Sequence, residues 1–363
     1  MSRYLLFSFL PFYMNGYSLT RRSRLLLLLL LALLAAAAIG GFRQTRKNHS
    51  QNIALVPLPL DAANPASRRV GDLDFLAAWE LKSDNGIFGG LSALAALKNG
   101  RFLAISDAGA VVGFGIGDNG RADRPFIAAL PGAYGKGILY KDRDSEGLAY
   151  DPGTGRVWVS YEYRNAIRRF PPSLARVDGI VRPAAMRDWP SNSGPEALVR
   201  LNDGRFLVFA EGGGDEESEG IYPAILFSGD PAEPGTASFS FRYRPPDGYR
   251  ITDATPLPDG RLLLLHRRIG VPDGFTAKIS LFDPATVQRG ALTHGRVIAT
   301  LESPLLVDNM EGIATTQENG RTIVWLVSDD NFNIFQRTLL MKFALDLPDM
   351  KKPEAEAPGF DSL

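Results

Sequence analysis

The sequence predicts an all-β protein, a β-propeller made of repeated hairpins. Five stretches share one layout: a polar residue, a short apolar strand, a turn that contains glycine, and a second apolar strand that ends at another polar residue. The arginines after the five turns recur roughly every 50 to 60 residues, a period typical of propellers and other repeat arrays. No long window shows the helical period. The five stretches are residues 92–107, 146–162, 196–211, 253–267 and 308–333.

Each hairpin turn carries residues that accept a positive φ angle. Asparagine or aspartate followed by glycine suits a two-residue hairpin, and a Gly-Thr-Gly sequence serves the second repeat more loosely. The strands after the turns are rich in apolar and β-forming residues, so we expect them to be buried on both faces. The four pairs are Asn99-Gly100, Asp203-Gly204, Asp259-Gly260 and Asn319-Gly320.

The open ends of the hairpins collect acidic residues. In a hairpin the start of the first strand lies beside the end of the second, so polar residues meet there. Radial packing of the hairpins would bring these ends together on one face of the molecule. The pairs are Ser92 with Asp107, Glu146 with Glu162, Glu196 with Glu211, Asp253 with Arg267, and Glu311 with Asp329.

Two further apolar strands, at residues 75–81 and Leu339–Leu345, predict how the ring closes. Propellers tie their ends together, often in a blade that both termini build. Counted as a separate blade, these strands give six blades, with five as the alternative. The propeller is expected over residues 71–347, after a linker at 43–70 and before a tail at 348–363. Residues 56–60 could form a first edge strand, and outer strands are expected at Ala166–Phe170, 224–227, 238–243 and 278–282.

Composition excludes several kinds of protein. The formal net charge is +0 at pH 7, which gives no electrostatic reason to bind nucleic acid. The chain has no cysteine, so disulfides, thiol catalysis and cysteine-bound metals are excluded. With 363 residues, 45% of them hydrophobic, it can bury a large core without disulfides. We expect a monomer whose partner is a small molecule.

The N-terminus has the features of an export signal. Three arginines within residues 21–24 precede an apolar run at 25–34, and alanines suited to a signal peptidase follow. Residues 1–42 are expected to be a signal peptide, with Met14 as an alternative start, or an uncleaved anchor, because 25–42 is about long enough to span a bilayer. Both alternatives place the propeller outside the cytoplasm, in the periplasm or exported, and the second holds it at the inner membrane.

Short motifs along the chain resemble those of a known family. They are Gly89-Gly90-Leu91-Ser92, Asp144-Ser145-Glu146-Gly147-Leu148, Pro195-Glu196-Ala197-Leu198, Thr252-Asp253-Ala254, Asp308-Asn309-Met310-Glu311-Gly312, Asp329-Asp330-Asn331-Phe332 and Gln336-Arg337-Thr338-Leu339-Leu340. Together they closely resemble the phytase-like family, described as having an esterase-like activity of phytase, over about residues 71–346. The resemblance implies an exported β-propeller, hydrolysis of phosphate or other esters, and calcium, as in the true propeller phytases.

The residues themselves predict a cation site at the acidic face. Carboxylates that ring an axis repel each other, which raises their pKa values unless a cation neutralises them. Oxygen ligands suit calcium or magnesium, and a bound cation could hold a substrate oxygen and lower the pKa of an attacking water. The expected ligands are Glu146, Glu196, Asp253, Glu311 and Asn309, and the expected catalytic residues are Glu146, Glu311 and Asp329.

Basic and amide side chains near this face are expected to bind the substrate. Guanidinium groups match phosphate oxygens. The residues are Arg267, Arg268, Arg337 and Asn331. The predicted chemistry is metal-assisted hydrolysis of a phosphoester or a carboxylic ester.

Other interpretations stay open. The acidic residues can also cap turns or pair with arginines, and the propeller can bind a ligand or a protein in the cell envelope without catalysis. The serine-nucleophile motif G-x-S-x-G is absent, and of three histidines only His266 ends a strand near the acidic face, where it could act as a lone base. The arginines that recur with the turns are expected to be structural: Arg101, Arg156, Arg205, Arg261 and Arg321.

Cell fractionation tests the predicted export. We expect the protein in the periplasm, or on the outer side of the inner membrane, because the arginines and the apolar run after them would direct it there. Recovery of the full-length protein from the cytosol would contradict this prediction.

Overall fold

The computed structural model describes residues 48–132 and 139–347, so the predicted signal or anchor at 1–42 and the predicted tail at 348–363 lie outside the described residues. Within the described residues the chain forms five sheets, each of which is one blade of a five-bladed propeller. Short 3-10 helices lie at Tyr140–Asp142, Ala184–Met186, Glu217–Glu219 and Pro284–Thr286. No helix of the described chain has the length and hydropathy needed to cross a membrane.

Four blades, A to D, are built from consecutive stretches of chain. Blade A contains β4 (Leu91–Ala96), β5 (Arg101–Ser106), β6 (Ala110–Ile116) and β7 (Ala122–Ala129). Blade B contains β8 (Ser145–Tyr150), β9 (Val157–Tyr161), β10 (Ala166–Phe170) and β11 (Gly179–Val181). Blade C contains β12 (Pro195–Arg200), β13 (Phe206–Ala210), β14 (Tyr222–Phe227) and β15 (Ser238–Arg244), with β19 (Leu292–His294) parallel at its outer edge. Blade D contains β16 (Arg250–Pro256), β17 (Leu262–Gly270), β18 (Gly274–Phe282) and β20 (Arg296–Leu301).

The fifth blade, blade E, joins the two ends of the described chain. Its order is β21 (Asn309–Glu318), β22 (Arg321–Asp329), β23 (Leu339–Leu345), β3 (Leu73–Lys82) and β1 (Ala54–Pro57), with β2 (Arg69–Val70) also on β3. The all-β propeller is confirmed, and the blade count is the alternative of five rather than the preferred six. The end strands do not form a separate blade, because β23 pairs with β22 as well as with β3 and so completes the blade of the last hairpin.

Part of the segment expected to be a linker belongs to the propeller. Strands β1 and β2 lie within residues 43–70 and pair with β3. Ala54 of β1 also forms a bridge with Arg121 of blade A. The first strand therefore ties blade E to blade A.

The hydrophobic core of the described residues lies between neighbouring blades. Five clusters of buried side chains each join one pair of blades, from A and B round to E and A. Strands β5, β9 and β13 are buried almost throughout, as expected from their composition. Aromatic pairs cross these interfaces: the ring centroids of Phe102 and Trp325 are 4.7 Å apart, and those of Trp158 and Phe206 are 4.9 Å apart. Burial between the blades thus holds the ring together.

The hairpin turns differ from one another. Asn319 and Gly320 both have positive φ angles and form the expected two-residue turn. At Asp203 and Asp259 the turn is longer, and of each pair only the glycine has a positive φ. In both turns the aspartate side chain accepts a hydrogen bond from the N–H two residues ahead, at 3.0 Å, which stabilises the longer turn without a second positive φ.

Removal of β23 tests closure by the chain ends. Truncation after Thr338 removes the strand between β22 and β3, so each of them loses its partner on one edge and apolar side chains of two interfaces become exposed. We therefore expect loss of cooperative thermal unfolding. Circular dichroism melting curves provide the measurement. The matched control is truncation after Leu347, which removes only residues 348–363 and should unfold like the full chain. A sharp transition of the shorter variant near the temperature of the control would contradict closure by the ends.

Candidate functional site

A β-bulge lies near the start of the innermost strand of every blade. These strands, β4, β8, β12, β16 and β21, each contact the innermost strands of the two neighbouring blades. In each of them one extra residue shifts the pairing with the second strand of the hairpin, and the shift lies at the same height in all five blades. A bulge inserts an extra residue and re-aims a side chain. The first bulge residues are Ser92, Glu146, Glu196, Thr252 and Glu311.

An acidic pocket of about 300 Å³ lies at this level. First bulge residues form part of its wall, and residues that follow the second strands form another part. The lining contains seven carboxylic side chains and one arginine. The lining residues are Ser92, Asp107, Glu146, Glu162, Asn192, Glu196, Glu211, Arg267, Ile269, Phe275, Asn309, Glu311, Asp329 and Asn331.

Burial makes several of these carboxyl groups weak acids. Burial, with a smaller contribution from Asp144, raises the pKa of Glu162 to about 8 and that of Asp107 to about 6. Burial raises the pKa of Glu311 to about 7 despite the nearby Arg267. Burial and neighbouring carboxylates raise the pKa values of three others well above the ordinary range: Glu146, Glu196 and Asp329. Several of these groups can therefore hold a proton near neutral pH.

Arg267 partly offsets the negative charge. Its Nε lies 2.9 Å from Oε1 of Glu311, and its Nη2 donates to Oε1 of Glu211 at 3.0 Å. Arg267 directly follows His266, whose partner on β16, Ile251, is the last residue before the bulge. At the equivalent position of the second hairpin strand, the other four blades have an acidic residue. Those residues are Asp107, Glu162, Glu211 and Asp329.

Asn309 offers an oxygen that no described group uses. Its side chain is buried, and its Nδ2 donates to Oδ2 of Asp329 at 3.4 Å. Its Oδ1 has no hydrogen-bond partner among the described residues. A buried acceptor without a partner is costly, and a cation would satisfy it. The carboxylate and amide oxygens of the lining therefore fit calcium or magnesium.

A second group of possible ligands lies on blade B. One carboxylate oxygen from each of Asp144, Glu146 and Glu162 lies within 4.8 Å of the others. Glu146 thus belongs both to the predicted ligand set and to this group. Its position would let it contact a cation on either side.

Most of the predicted site residues come together in the pocket, but Asp253 does not line it. The bulge places Thr252 at the position that glutamate occupies in three other blades, so Asp253 takes the second bulge position. Asp253 is fully buried and accepts hydrogen bonds from the N–H groups of Ala254 and Ile313, both at 2.8 Å. Asp253 therefore links β16 to β21 instead of joining the ring of glutamates. The predicted residues in the lining are Glu146, Glu196, Glu311, Asn309, Asp329, Asn331 and Arg267.

Two predicted substrate-binding arginines also lie outside the lining. Alternate residues of a strand face opposite sides, so Arg268 faces away from the pocket. Its guanidinium lies 5.1 Å from the ring centroid of Tyr249 and 3.1 Å from Asp273. Arg337 lies 3.9 Å from Asp308. Neither arginine reaches the pocket in this structure.

His266 does not have the environment of a catalytic base. It is fully buried, with Nε2 2.7 Å from the Tyr243 hydroxyl and Nδ1 3.3 Å from the carbonyl of Lys278. Burial lowers the pKa of His266 to about 3. The histidine therefore joins β17 to its neighbours as a neutral side chain.

Sequence reasoning assigned no role in the site to seven of the lining residues, which are Ser92, Asp107, Glu162, Asn192, Glu211, Ile269 and Phe275. Asp107, Glu162 and Glu211 were placed at the open hairpin ends but not assigned a role, although they occupy the same position as Asp329. That equivalence was the available signal. Asn192 precedes β12 in a loop, and no pattern in the sequence marks it.

The sequence pattern of the phytase-like family, described as esterase-like activity of phytase, matches residues 86–332. The matched segment includes every residue that lines the pocket. No curated protein matches the sequence.

Several solved structures are similar at low identity. A gluconolactonase from Xanthomonas campestris is 14% identical, with a TM-score of 0.41, over 82% of this chain and 98% of that one. A structure of a nidogen/laminin complex is 9% identical, with a TM-score of 0.41, over 79% and 95%. The WD40 propeller domain of Doa1 is 12% identical, with a TM-score of 0.36, over 84% and 97%. Similarity at this level does not assign an activity.

The raised pKa values predict that chelator-treated protein loses stability as the pH rises. In the unfolded chain these carboxyl groups ionise near pH 4, whereas in the folded chain Asp107, Glu311 and Glu162 ionise near 6, 7 and 8. The folded state therefore binds more protons between pH 4 and 8, and its stability falls through this range. Melting temperatures at pH 5 and pH 8, measured in EDTA, test this.

A substitution sharpens the test. Ionisation of Glu162 is less favourable in the folded protein than in the unfolded chain, and Glu162→Gln removes this cost. We therefore expect the substitution to stabilise the protein by about 1 kcal/mol at pH 8 and by less at pH 5. The exposed Glu219→Gln is the matched control and should have no effect at either pH. Equal stability of the parent at both pH values would contradict the prediction.

Proposed function

The chain belongs to the phytase-like family, and we propose that it is a monomeric hydrolase that cleaves a phosphoester or a carboxylic ester in the axial pocket with the help of a divalent cation. One observation carries the proposal: seven carboxylic side chains and an unpartnered amide oxygen meet in a single pocket. Such an oxygen-rich lining has the chemistry of a calcium site.

The cation ligands we propose are Glu146, Glu196, Glu311 and Asn309, with Asp329 beside them. The side chain of Glu196 has no hydrogen bond or ion pair with the described residues, although the residue is buried, so its carboxylate is available. Glu311 forms an ion pair with Arg267, so its carboxylate would bind the cation more weakly than the other carboxylates. A bound cation would polarise a substrate oxygen and lower the pKa of a water molecule.

The proton transfers would fall to the carboxyl groups. A general base or acid works best when its pKa lies near the working pH. Without a bound cation, Glu162 has a pKa of about 8 and Glu311 a pKa of about 7. Because a carboxylate that binds a cation stays ionised, we assign the acceptance of a proton from the attacking water and its return to the leaving oxygen to Glu162, which is not among the proposed ligands. Glu146, Glu311 and Asp329 are the other candidates.

A second candidate function is a propeller of the cell envelope that binds a ligand or a protein without catalysis. One observation favours it: the lining contains no histidine, and its serine is already engaged. The Ser92 hydroxyl donates to the carbonyl of Ser145 at 2.6 Å. Turnover of p-nitrophenyl esters together with the metal content of the purified protein distinguishes the two functions.

We also propose that the protein acts outside the cytoplasm. The support is the arginine-rich and apolar segment before residue 42, which lies outside the described residues.

Chelation tests the cation site. A cation that binds only the folded protein stabilises it by about 2.7 kcal/mol at one hundred times its Kd. We expect calcium to raise the melting temperature of the parent, and we expect Glu146→Gln to remove most of this increase because a ligand is lost. The control Glu219→Gln changes an exposed residue of the 3-10 helix Glu217–Glu219 and should respond to calcium like the parent.

Activity is measured on the same samples. Turnover of p-nitrophenyl substrates should fall in EDTA and return with calcium. The pocket is not a cation site if neither calcium nor chelator changes the melting temperature of the parent and if Glu146→Gln melts at a higher temperature than the parent. In that case the carboxylates are ligand-binding or structural groups, and the hydrolase proposal loses its main support.

A further inference from the structure

Exposed apolar side chains collect on the face of the propeller that carries the pocket. The hairpin between β17 and β18 holds Ile269, which lines the pocket, and Val271 at its tip. The loop that follows Asp329, another lining residue, holds Ile334 and Phe335. Ile269 is 64% exposed, Val271 100%, Ile334 61% and Phe335 68%. These two loops therefore present four large apolar groups to solvent beside the pocket.

Blade B has two more exposed apolar residues on the same face, Tyr163 and Leu139. Tyr163 directly follows Glu162 of the pocket lining. The N–H of Leu139 donates to the carboxylate of Asp142 at 3.0 Å, and that carboxylate pairs with Arg164 beside Tyr163. Among the described residues, the turns at the opposite ends of the five innermost hairpins contain no exposed large apolar side chain. This asymmetry between the two faces is typical of an interaction surface.

The described chain also begins on the pocket face. The N–H of Gly86 donates to the carbonyl of Asn48 at 2.8 Å. Gly86 lies in the connection from β3 to β4, which continues to Gly90. The N–H of Gly90 donates to Oδ1 of Asp330 at 2.9 Å, at the end of β22 where the loop with Ile334 begins. The chain therefore enters the propeller beside the exposed apolar loops.

The sequence supplies an apolar run shortly before this point. Residues 25–42 are about long enough to span a bilayer, and only residues 43–47 separate them from Asn48. Five extended residues cover at most about 18 Å, which is less than the thickness of the hydrocarbon core of a bilayer. A chain held in a bilayer by this run would therefore keep the pocket face close to the lipid.

Two arginines that do not line the pocket accompany the apolar residues. Arg268 belongs to the hairpin of Val271, and Arg337 lies two residues after Phe335. Their side chains are partly exposed, although each also contacts a carboxylate of the protein. Arginine side chains can extend from an apolar surface to phosphate groups and form charge-assisted hydrogen bonds with them. Apolar loop tips together with basic groups suit the interface between lipid and water.

We propose that the pocket face docks on a lipid bilayer. Val271, Ile334 and Phe335 enter the acyl layer, and Arg268 and Arg337 lie at the level of the lipid phosphates. Contact with acyl chains removes the apolar side chains from water, which is favourable. These side chains stand on separate loops, and a fluid acyl layer can cover them without a complementary shape. The pocket then opens toward the lipid.

Fluorescent labels test the docking, and the absence of cysteine allows a single label in each variant. The full chain, purified as cells make it, carries the fluorophore NBD on Val271→Cys or Phe335→Cys. It is mixed with vesicles of phosphatidylethanolamine and phosphatidylglycerol. We expect the emission of both labels to shift to shorter wavelength, because the fluorophore enters the acyl layer. A phosphatidylcholine with a doxyl quencher on its acyl chain should then reduce the intensity of both.

Two control variants separate this face from the rest of the surface. Leu292→Cys is the matched control, because Leu292 is also apolar and exposed but lies on the outer strand β19 of blade C. Lys98→Cys marks an exposed turn at the opposite face. Neither label should shift or be quenched. All four positions are exposed, and melting curves confirm that the labelled variants fold.

Quenching confined to the labels at positions 271 and 335 supports the proposal. Equal quenching of all four labels, or quenching of none, overturns it. Labels at 271 and 335 that are shielded from iodide before vesicles are added would assign the face to a second copy of the chain. Shielding by an envelope extract but not by vesicles would assign it to a protein, and both results contradict docking on lipid. Because quenching is read without substrate, a protein that docks but cleaves no ester would lose the proposed function and keep the membrane surface.

Discussion

The candidate site depends on the β-bulge near the start of each innermost strand. In a regular strand the side chains alternate between two faces, and an extra residue breaks this alternation at one point. Because all five innermost strands carry the bulge at the same level, five separate strand starts become one ring around the axis. In two blades the second bulge position is narrow and is occupied by glycine. At Gly147 an added Cβ would lie 2.4 Å from the carbonyl oxygen of Glu196, and at Gly312 it would lie 2.9 Å from the nitrogen of Leu94.

The residue at the first bulge position determines what each blade contributes. Two blades have a hydroxyl there, and both hydroxyls bind the next blade in the ring: Ser92 donates to the carbonyl of Ser145, and Thr252 donates to that of Met310 at 3.2 Å. The other three blades have glutamate, whose carboxylate enters the pocket. The ring therefore combines contacts that join the blades with a cluster of acidic groups. Asp253 occupies the second bulge position of blade D, where its carboxylate accepts hydrogen bonds from backbone N–H groups, so it belongs to the framework.

Burial of so many carboxyl groups has an electrostatic cost that the protein reduces in two ways. Arg267 pairs with two of them, and raised pKa values let others keep a proton. The second response also affects function, because a proton held near neutral pH can be transferred. A cation would be a third response, and the amide oxygen of Asn309 is the feature that favours it. Blade E supplies Asn309, so the pocket also depends on the closure of the ring by the chain ends.

The sequence determined the features that arise locally. Turn residues and the repeated apolar strands identified the hairpins, and the position of acidic residues at the open hairpin ends indicated which face would carry the site. The pairing of the two end strands was also predicted, because each was apolar and lacked a partner. These features follow from strand alternation and turn chemistry, which act within a few residues.

Only the tertiary structure decided the number of blades and the members of the pocket. The pairing of β23 with β22 as well as with β3 sets the count at five, and it depends on which strand edges meet across the fold. Thr252, and not Asp253, occupies the first bulge position of blade D, because the bulge shifts the strand by one residue. Arg268 faces away from the pocket although its neighbour Arg267 lines it. In each case a shift of one residue, or the choice of one strand edge, depends on long-range packing that a local pattern does not record.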